Sequence, residues 1–394
     1  MIAVERQYPE ASARARPLAV SRLTLTAFRS YREARIETDA RPVALLGPNG
    51  AGKTNLLEAV SFLVPGRGLR GARLSEVARH VPGETADTAA WAVAAHLDTP
   101  LGRVEIGTGR DPGGDSESER RVVRIDGVPA RSQAALADHA AAVWLTPQMD
   151  RLFTESASGR RRFLDRLVFG FDQGHAGRVA GYENAMRQRA RLLREGRRDA
   201  AWLAALEEAM ATRAVAVAAA RCDLVRRLNL AASEAPGPFP QARTGIAGDV
   251  EDWLGQMPAL AAEDRLREML AASRGRDAEA GGAGVGTHRS DMVVHEVARD
   301  IPAARCSTGE QKALLVSIVL AHARLVADAH GAPPLLLLDE VAAHLDSARR
   351  TALFDAICAV GAQAWMTGTD LEPFRALGDR AQFLSVQNST VGPI

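Results

Sequence analysis

Gly47-Pro48-Asn49-Gly50-Ala51-Gly52-Lys53-Thr54 follows the apolar run Val43 to Leu46 and precedes Leu56-Leu57-Glu58-Ala59-Val60. This order predicts strand, glycine loop and helix, the setting in which G-x-x-x-x-G-K-[ST] holds a triphosphate. Glycines let successive N–H groups turn inward on the anion, and the helix that begins near Lys53 adds its positive dipole end. Lys53 would then reach the β- and γ-phosphates and Thr54 would hold Mg²⁺.

Lysine use sharpens this reading. Of the 49 Lys and Arg residues only Lys53 and Lys312 are lysines. A chain that otherwise takes arginine for its basic side chains has kept a compact point charge where a guanidinium would not fit a phosphate cradle. Sequence offers no equally firm reason for Lys312.

The remaining composition is ordinary: 394 residues, 46% hydrophobic, 25% charged and a formal net charge of +1. That is enough chain for two or three domains, and the balanced charge leaves room for a local basic patch. Cys222, Cys306 and Cys358 are too far apart for a metal knuckle or a disulfide framework, which suits a reducing cytoplasm. No apolar run approaches a membrane span, so no membrane is expected. The charged segment to residue 20 is expected to be a disordered tail rather than a signal peptide.

Ser21 to Ala27 alternates like a half-buried strand, with Arg32 to Glu37 as its hairpin partner. Arg67 and Arg70, just past the helix after the glycine loop, either touch a base or phosphate or lie in a solvated loop. Trp91 to Leu97, Leu101 to Gly107 and Arg121 to Ile125 are expected strands, separated by turns such as Asp111 to Asp115 and Asp126-Gly127. After Val143 to Leu145, Gln148 stands where ATPases of this plan often place a glutamine that senses the γ-phosphate beside the Mg²⁺; the alternative is a plain loop residue.

Between Gly159 and Asp199 arginines outnumber acidic residues by about six. Arg160, Arg161 and Arg162 head this stretch, a footprint for a DNA backbone, with a solvated helix face or internal packing as the competing readings. Arg178 to Glu195 and Ala200 to Ser233 predict helices of about 27 and 50 Å, a short antiparallel hairpin. Ala235 to Pro240 breaks the second helix. Gly281 to Gly286 lacks the flanking strand and helix of a dinucleotide fingerprint and is expected to be a flexible loop.

Pro333 to Leu338 followed by Asp339-Glu340 has the form of a buried parallel strand whose C-terminal end faces a ligand. Asp339 falls on the Mg²⁺ side, and Glu340 is the candidate base for the attacking water. Upstream, Cys306-Ser307-Thr308-Gly309-Glu310-Gln311-Lys312 leads into a helical run, a second anion site separate from the first. His288 and His344 lack the clustered ligands of a metal site.

Taken together these segments resemble the ABC-type ATPase superfamily, with Ser307, Gly309 and Glu310 as its signature turn and Asp346 as its D-loop aspartate. Within it the chain resembles the RecF family, on Leu25 to Tyr31, the loop Gly47 to Asn55, Arg161-Arg162-Phe163-Leu164-Asp165, Gly286 to Asp291, Ser307 to Lys312 and Leu338 to Asp346. The resemblance implies an α/β head with a P-loop parallel sheet, an antiparallel β subdomain and a helical second lobe. It places the head in 21–150 and 300–394 and the second lobe in 151–299. It also implies an ATP-dependent homodimer and slow, DNA-dependent ATP hydrolysis. Binding to gapped, single-stranded or double-stranded DNA in repair and replication, with RecO and RecR as partners in loading RecA, is implied as well.

Two departures accompany it. Glu310 stands where the superfamily usually has Gln, and Met366-Thr367-Gly368-Thr369 has no switch histidine. A transporter subunit would be shorter and carry that histidine, a chromosome-tethering protein would need long arms, and a small-molecule kinase would leave Ser307 to Lys312 without work.

Overall fold

A computed structural model describes residues 17–80, 90–110, 121–196, 199–234, 239–343 and 345–394. The expected tail as far as residue 16, the Asp111 to Asp115 turn, Arg197, Arg198, residues 235–238 and His344 lie outside the described residues. Ala19 and Val20, assigned above to the tail, instead open the first strand and are buried.

The elements run β1 (Ala19–Phe28), β2 (Tyr31–Glu37), β3 (Val43–Leu46), α1 (Lys53–Ser61), α2 (Leu74–Val77), β4 (Trp91–Thr99), β5 (Gly102–Arg110), β6 (Arg121–Ile125), β7 (Val128–Pro129) and β8 (Ala142–Leu145). Next come α3 (Ala157–Phe169), α4 (His175–Arg194), α5 (Ala200–Glu234), β9 (Ala242–Ala247), α6 (Asp249–Leu254), α7 (Ala259–Ala272), α8 (Arg274–Ala280), β10 (Asp291–Glu296) and β11 (Ile301–Pro302). The chain closes with α9 (Thr308–His330), β12 (Leu335–Leu338), α10 (Ser347–Val360), β13 (Ala364–Gly368), β14 (Gln382–Gln387) and β15 (Thr390–Pro393).

The central sheet has the order β15-β14-β3-β13-β12-β8, parallel from β14 to β8, with β15 antiparallel at one edge. β3 and β12 are buried on both faces, successive leucines pointing opposite ways. Leu45, Leu335, Leu337 and Trp365 pack with α1 and β1, while Leu46, Leu336, Leu338 and Met366 pack with α3, α9 and α10. A second sheet, β2-β1-β4-β5-β6-β7, is antiparallel throughout and shares the α1 side of this core.

The second lobe, expected to be helical, also contains strands. β9, β10 and β11 form a three-stranded antiparallel sheet. Ala242 to Ala247 carries a glycine and little alternation, so its strand character comes from pairing with residues about fifty positions later, Ala242 against Glu296 and Ala247 against Asp291. The helical hairpin is present as α4 and α5, but α6 and α7 cover it, so it is a packed unit and not a free arm. Along α5, Leu203, Leu206 and Met210 enter this outer core while Leu224 and Leu228 reach the core under the central sheet. Gly281 to Gly286 forms a loop, as expected, and a short helix precedes it. Residues Arg274–Ala280 are helical, and Asp277, buried against Arg189, accepts the Gly284 N–H at 3.1 Å.

α9 departs from expectation too. By length and composition it is apolar enough to cross a membrane, but 61% of its most apolar window is buried within the protein, which explains its composition.

Candidate nucleotide site

The glycine loop connects β3 to α1 as the sequence predicts, and two glycines show why no side chain fits there. A Cβ on Gly47 would lie 2.0 Å from the Val386 carbonyl oxygen, and Gly52, at φ 109°, would press one within 2.7 Å of the Tyr31 hydroxyl. Tyr31 itself donates to the Gly52 carbonyl at 3.2 Å, and Asn55 donates to Ser30 Oγ at 2.9 Å, so the β1–β2 turn braces the loop. Lys53 is buried and folds its ammonium back onto its own loop, donating to the carbonyls of Gly47 at 2.6 Å and Pro48 at 2.9 Å. Burial lowers its pKa, and the nearby charges of Glu340 and Asp339 oppose the shift.

Thr54 Oγ1 lies 3.1 Å from both carboxylate oxygens of Asp339, joining segments 285 positions apart. Thr367, on β13, donates to Asp339 Oδ1 at 2.7 Å and accepts the Glu340 N–H at 2.8 Å. The donor set around Thr54 and Asp339 is hard oxygen only, a hydroxyl and a carboxylate, which fits Mg²⁺ with its remaining positions filled by phosphate and water. Glu340 is exposed just past the strand tip at φ 51°, an uncommon conformation for a residue with a side chain. Gln148 is exposed in the short turn after β8, the strand hydrogen-bonded beside β12, and so sits at the same sheet edge as Asp339.

Ser307 caps α9. Its N–H and hydroxyl donate to Glu310 at 2.8 and 3.0 Å, a capping box, and Arg299 pairs with the same carboxylate at 2.9 Å. The Ser307 groups first, then Arg299, hold the Glu310 carboxyl below the ordinary glutamate range. Among the described residues no hydrogen bond joins Ser307 to Glu310 with the glycine loop, and Ser307 is exposed. Asp346 is exposed and caps α10 by accepting the Arg349 N–H at 2.8 Å.

The basic stretch resolves differently from its expectation. Arg160 forms a two-point ion pair with Asp291 at 2.7 and 2.8 Å and also donates to the Glu155 carbonyl. Arg161 donates to the Ser290 carbonyl at 2.6 Å. These contacts lie inside the lobe and fit the internal-packing reading for Arg160 and Arg161, while Arg162 is the exposed one of the three. Arg70, exposed, donates to buried Glu58 and to Asn55 at the end of the glycine loop.

A family model described as the RecF/RecN/SMC N terminal domain matches residues 19–384. The protein named DNA replication and repair protein RecF of Mesorhizobium japonicum is 52% identical over 376 residues, covering 95% of this chain and 97% of that one. Its namesake in Allorhizobium ampelinum is 50% identical over 371 residues, covering 94% and 97%. The chain belongs to the RecF family. Its fold also matches a solved structure described as the recombination mediator protein RecF-ATPrS in the RecFOR pathway, with a TM-score of 0.81 over 96% of this chain at 20% identity.

Two of the segments that carried the RecF resemblance are structural. Asp165 takes a two-point ion pair from buried Arg221 at 2.8 and 2.9 Å and bonds His175 at 2.8 Å; Arg221 continues to Thr287. Burial alone would raise the Asp165 pKa, but His175 and Arg221 outweigh it and lower it. Sequence reasoning did not assign Thr367, Tyr31 or this network. A lone threonine or tyrosine carries no local pattern, and their partners lie far along the chain.

Proposed function

We propose that this chain is an ATP-switched DNA-binding protein of recombinational repair and replication. The observation that carries the reading is Thr54 against Asp339: residues from the two ends of the chain meet under a phosphate loop, while the signature turn, with Ser307 exposed, makes no hydrogen bond to that loop among the described residues. A signature turn unbonded to its own loop is suited to the nucleotide of a second copy. ATP would therefore join two chains, each nucleotide held by Gly47 to Asn55 of one and by Ser307, Gly309 and Glu310 of the other, with Asp346 at the crossing. Lys53 would move from its own carbonyls to the phosphates, Thr54 and Asp339 would hold Mg²⁺ with Gln148 nearby, and Glu340 would orient the water. Bound Mg²⁺ would supply charge neutralisation at the phosphates.

In this reading 21–150 with 300–394 act as the head and 151–299 as the lobe that carries DNA contacts, Arg162 among them. The partners would be gapped or junction DNA, RecO and RecR, with RecA loading as the outcome; the curated relatives' names support a role in DNA replication and repair, and the matching solved structure is described within the RecFOR pathway. The test is sedimentation velocity with ATP, with ADP and without nucleotide, each with and without gapped DNA. A dimer is expected with ATP alone, and Ser307→Arg should abolish it while leaving ATP affinity of the monomer within about twofold. A Ser307→Arg protein that dimerises normally would refute the shared site.

A further inference from the structure

Lys312 is the one lysine the phosphate cradle does not explain. It lies on α9, five residues after Ser307, and is only 5% exposed. Its ammonium donates to the Glu340 carbonyl at 3.1 Å and lies 3.6 Å from Asp150 Oδ2, in the turn that also holds Gln148. Stability does not account for this arrangement. A buried ammonium is costly, and an apolar side chain of similar length commonly packs such a position at least as stably.

What the contact does accomplish is geometric. Glu340 is left-handed at φ 51°, a conformation that costs on the order of 1–3 kcal/mol for a residue with a side chain and persists only where neighbours hold it. Its N–H is held by Thr367 and its carbonyl by Lys312 and by the Ala343 N–H. The backbone of the candidate water-orienting carboxylate is thus fixed at both ends. One of those fixings comes from the helix whose N-terminus is the signature turn. The tetrahedral donors of the lysine serve a carbonyl and a carboxylate from one compact point charge.

We infer that Lys312 is a positioning residue for ATP hydrolysis: it ties the signature helix and the Gln148 turn to the Glu340 peptide, and so sets the aim of that carboxylate. This rests on the proposed role of Glu340. Seating of the turn on a partner's nucleotide would reach the carboxylate through this bond, whereas nucleotide binding by Lys53 and Thr54 does not pass through it.

The experiment is a double-mutant cycle on the full chain, with single-turnover ATP hydrolysis and ATP affinity measured separately. Lys312→Met should lower hydrolysis about tenfold or more with ATP affinity changed less than about twofold. In the Glu340→Gln background the same substitution should cost less than about twofold, because a residue that acts through Glu340 has nothing left to aim. Lys312→Gln, which keeps a donor for the carbonyl, should recover part of the rate, and it replaces Lys312→Met in the cycle if that variant does not fold. Equal losses in both backgrounds, or wild-type hydrolysis by Lys312→Met, would overturn the inference. If Glu340→Gln alone hydrolyses ATP at the wild-type rate, it is the proposed role of Glu340 that fails.

Discussion

Asp339 receives a hydroxyl from each side, Thr54 from α1 and Thr367 from β13, so its carboxylate is held before any ligand arrives. Such preorganisation leaves little for Mg²⁺ to order when it binds. The arginines of α3 show the opposite use of a charged side chain. Arg160 and Arg161 lock α3 to the start of β10, and Arg160→Ala would leave Asp291 without its two-point partner. The expected result is a loss of about 2 kcal/mol in urea unfolding with an unchanged dependence of DNA affinity on salt. A flattened salt slope would instead return Arg160 to the DNA surface. The placing of Lys53 and Thr54 at the loop-to-helix start and of Asp339 and Glu340 at a strand tip was legible in the sequence because it is carried by immediate neighbours. The fate of Arg160 was not, because its partner is 131 residues away.

At the scale of elements, α9 does most to connect the parts. It starts at the signature turn, passes Lys312 beneath Glu340, and further along sends His322 to the Leu167 carbonyl of α3 at 2.8 Å. His322 is fully enclosed, its Nδ1 has no hydrogen-bond partner, and burial pushes its pKa down to about 4. Between the ordinary histidine value of 6.5 and about 4 the unfolded chain therefore binds a proton that the folded chain refuses. Stability is complete above that window and falls as the pH drops through it, by an amount on the order of 3 kcal/mol from this residue. Urea titrations from pH 7 to 4.5 should show a slope smaller by about one proton in His322→Gln than in wild type. Identical slopes would place the acid sensitivity elsewhere. Neither the apolar length of α9 nor its two-sided burial was read from the sequence. Helix periodicity is lost when both faces meet protein, and nothing local tells such a helix from one that meets lipid.

For the whole molecule, the proposed cycle couples closure on DNA to the presence of the γ-phosphate. Glu340→Gln keeps size and hydrogen bonding while removing the basic charge. ATP should still bind and still close the dimer, hydrolysis should fall by roughly 10² or more, and the complex should stay longer on gapped DNA. Turnover and DNA dissociation measured together check this: arrested hydrolysis with unchanged DNA residence would uncouple chemistry from release. Motifs whose parts are adjacent in the chain were determined by the sequence alone. These are the strand-loop-helix around Gly47 to Thr54, the buried strand ending in Asp339-Glu340, the turn that begins α9 and the helical hairpin. Each depends on local backbone conformation and on hydrophobic alternation, which neighbouring residues specify. Only the tertiary structure decided that β9 and β10 pair, that Asp165 and Arg221 bury their charges against each other, and that Thr367 and Lys312 hold the Glu340 backbone from opposite sides. Those features consist of contacts between residues 27 or more positions apart, where a side chain's role is set by what the fold brings to it.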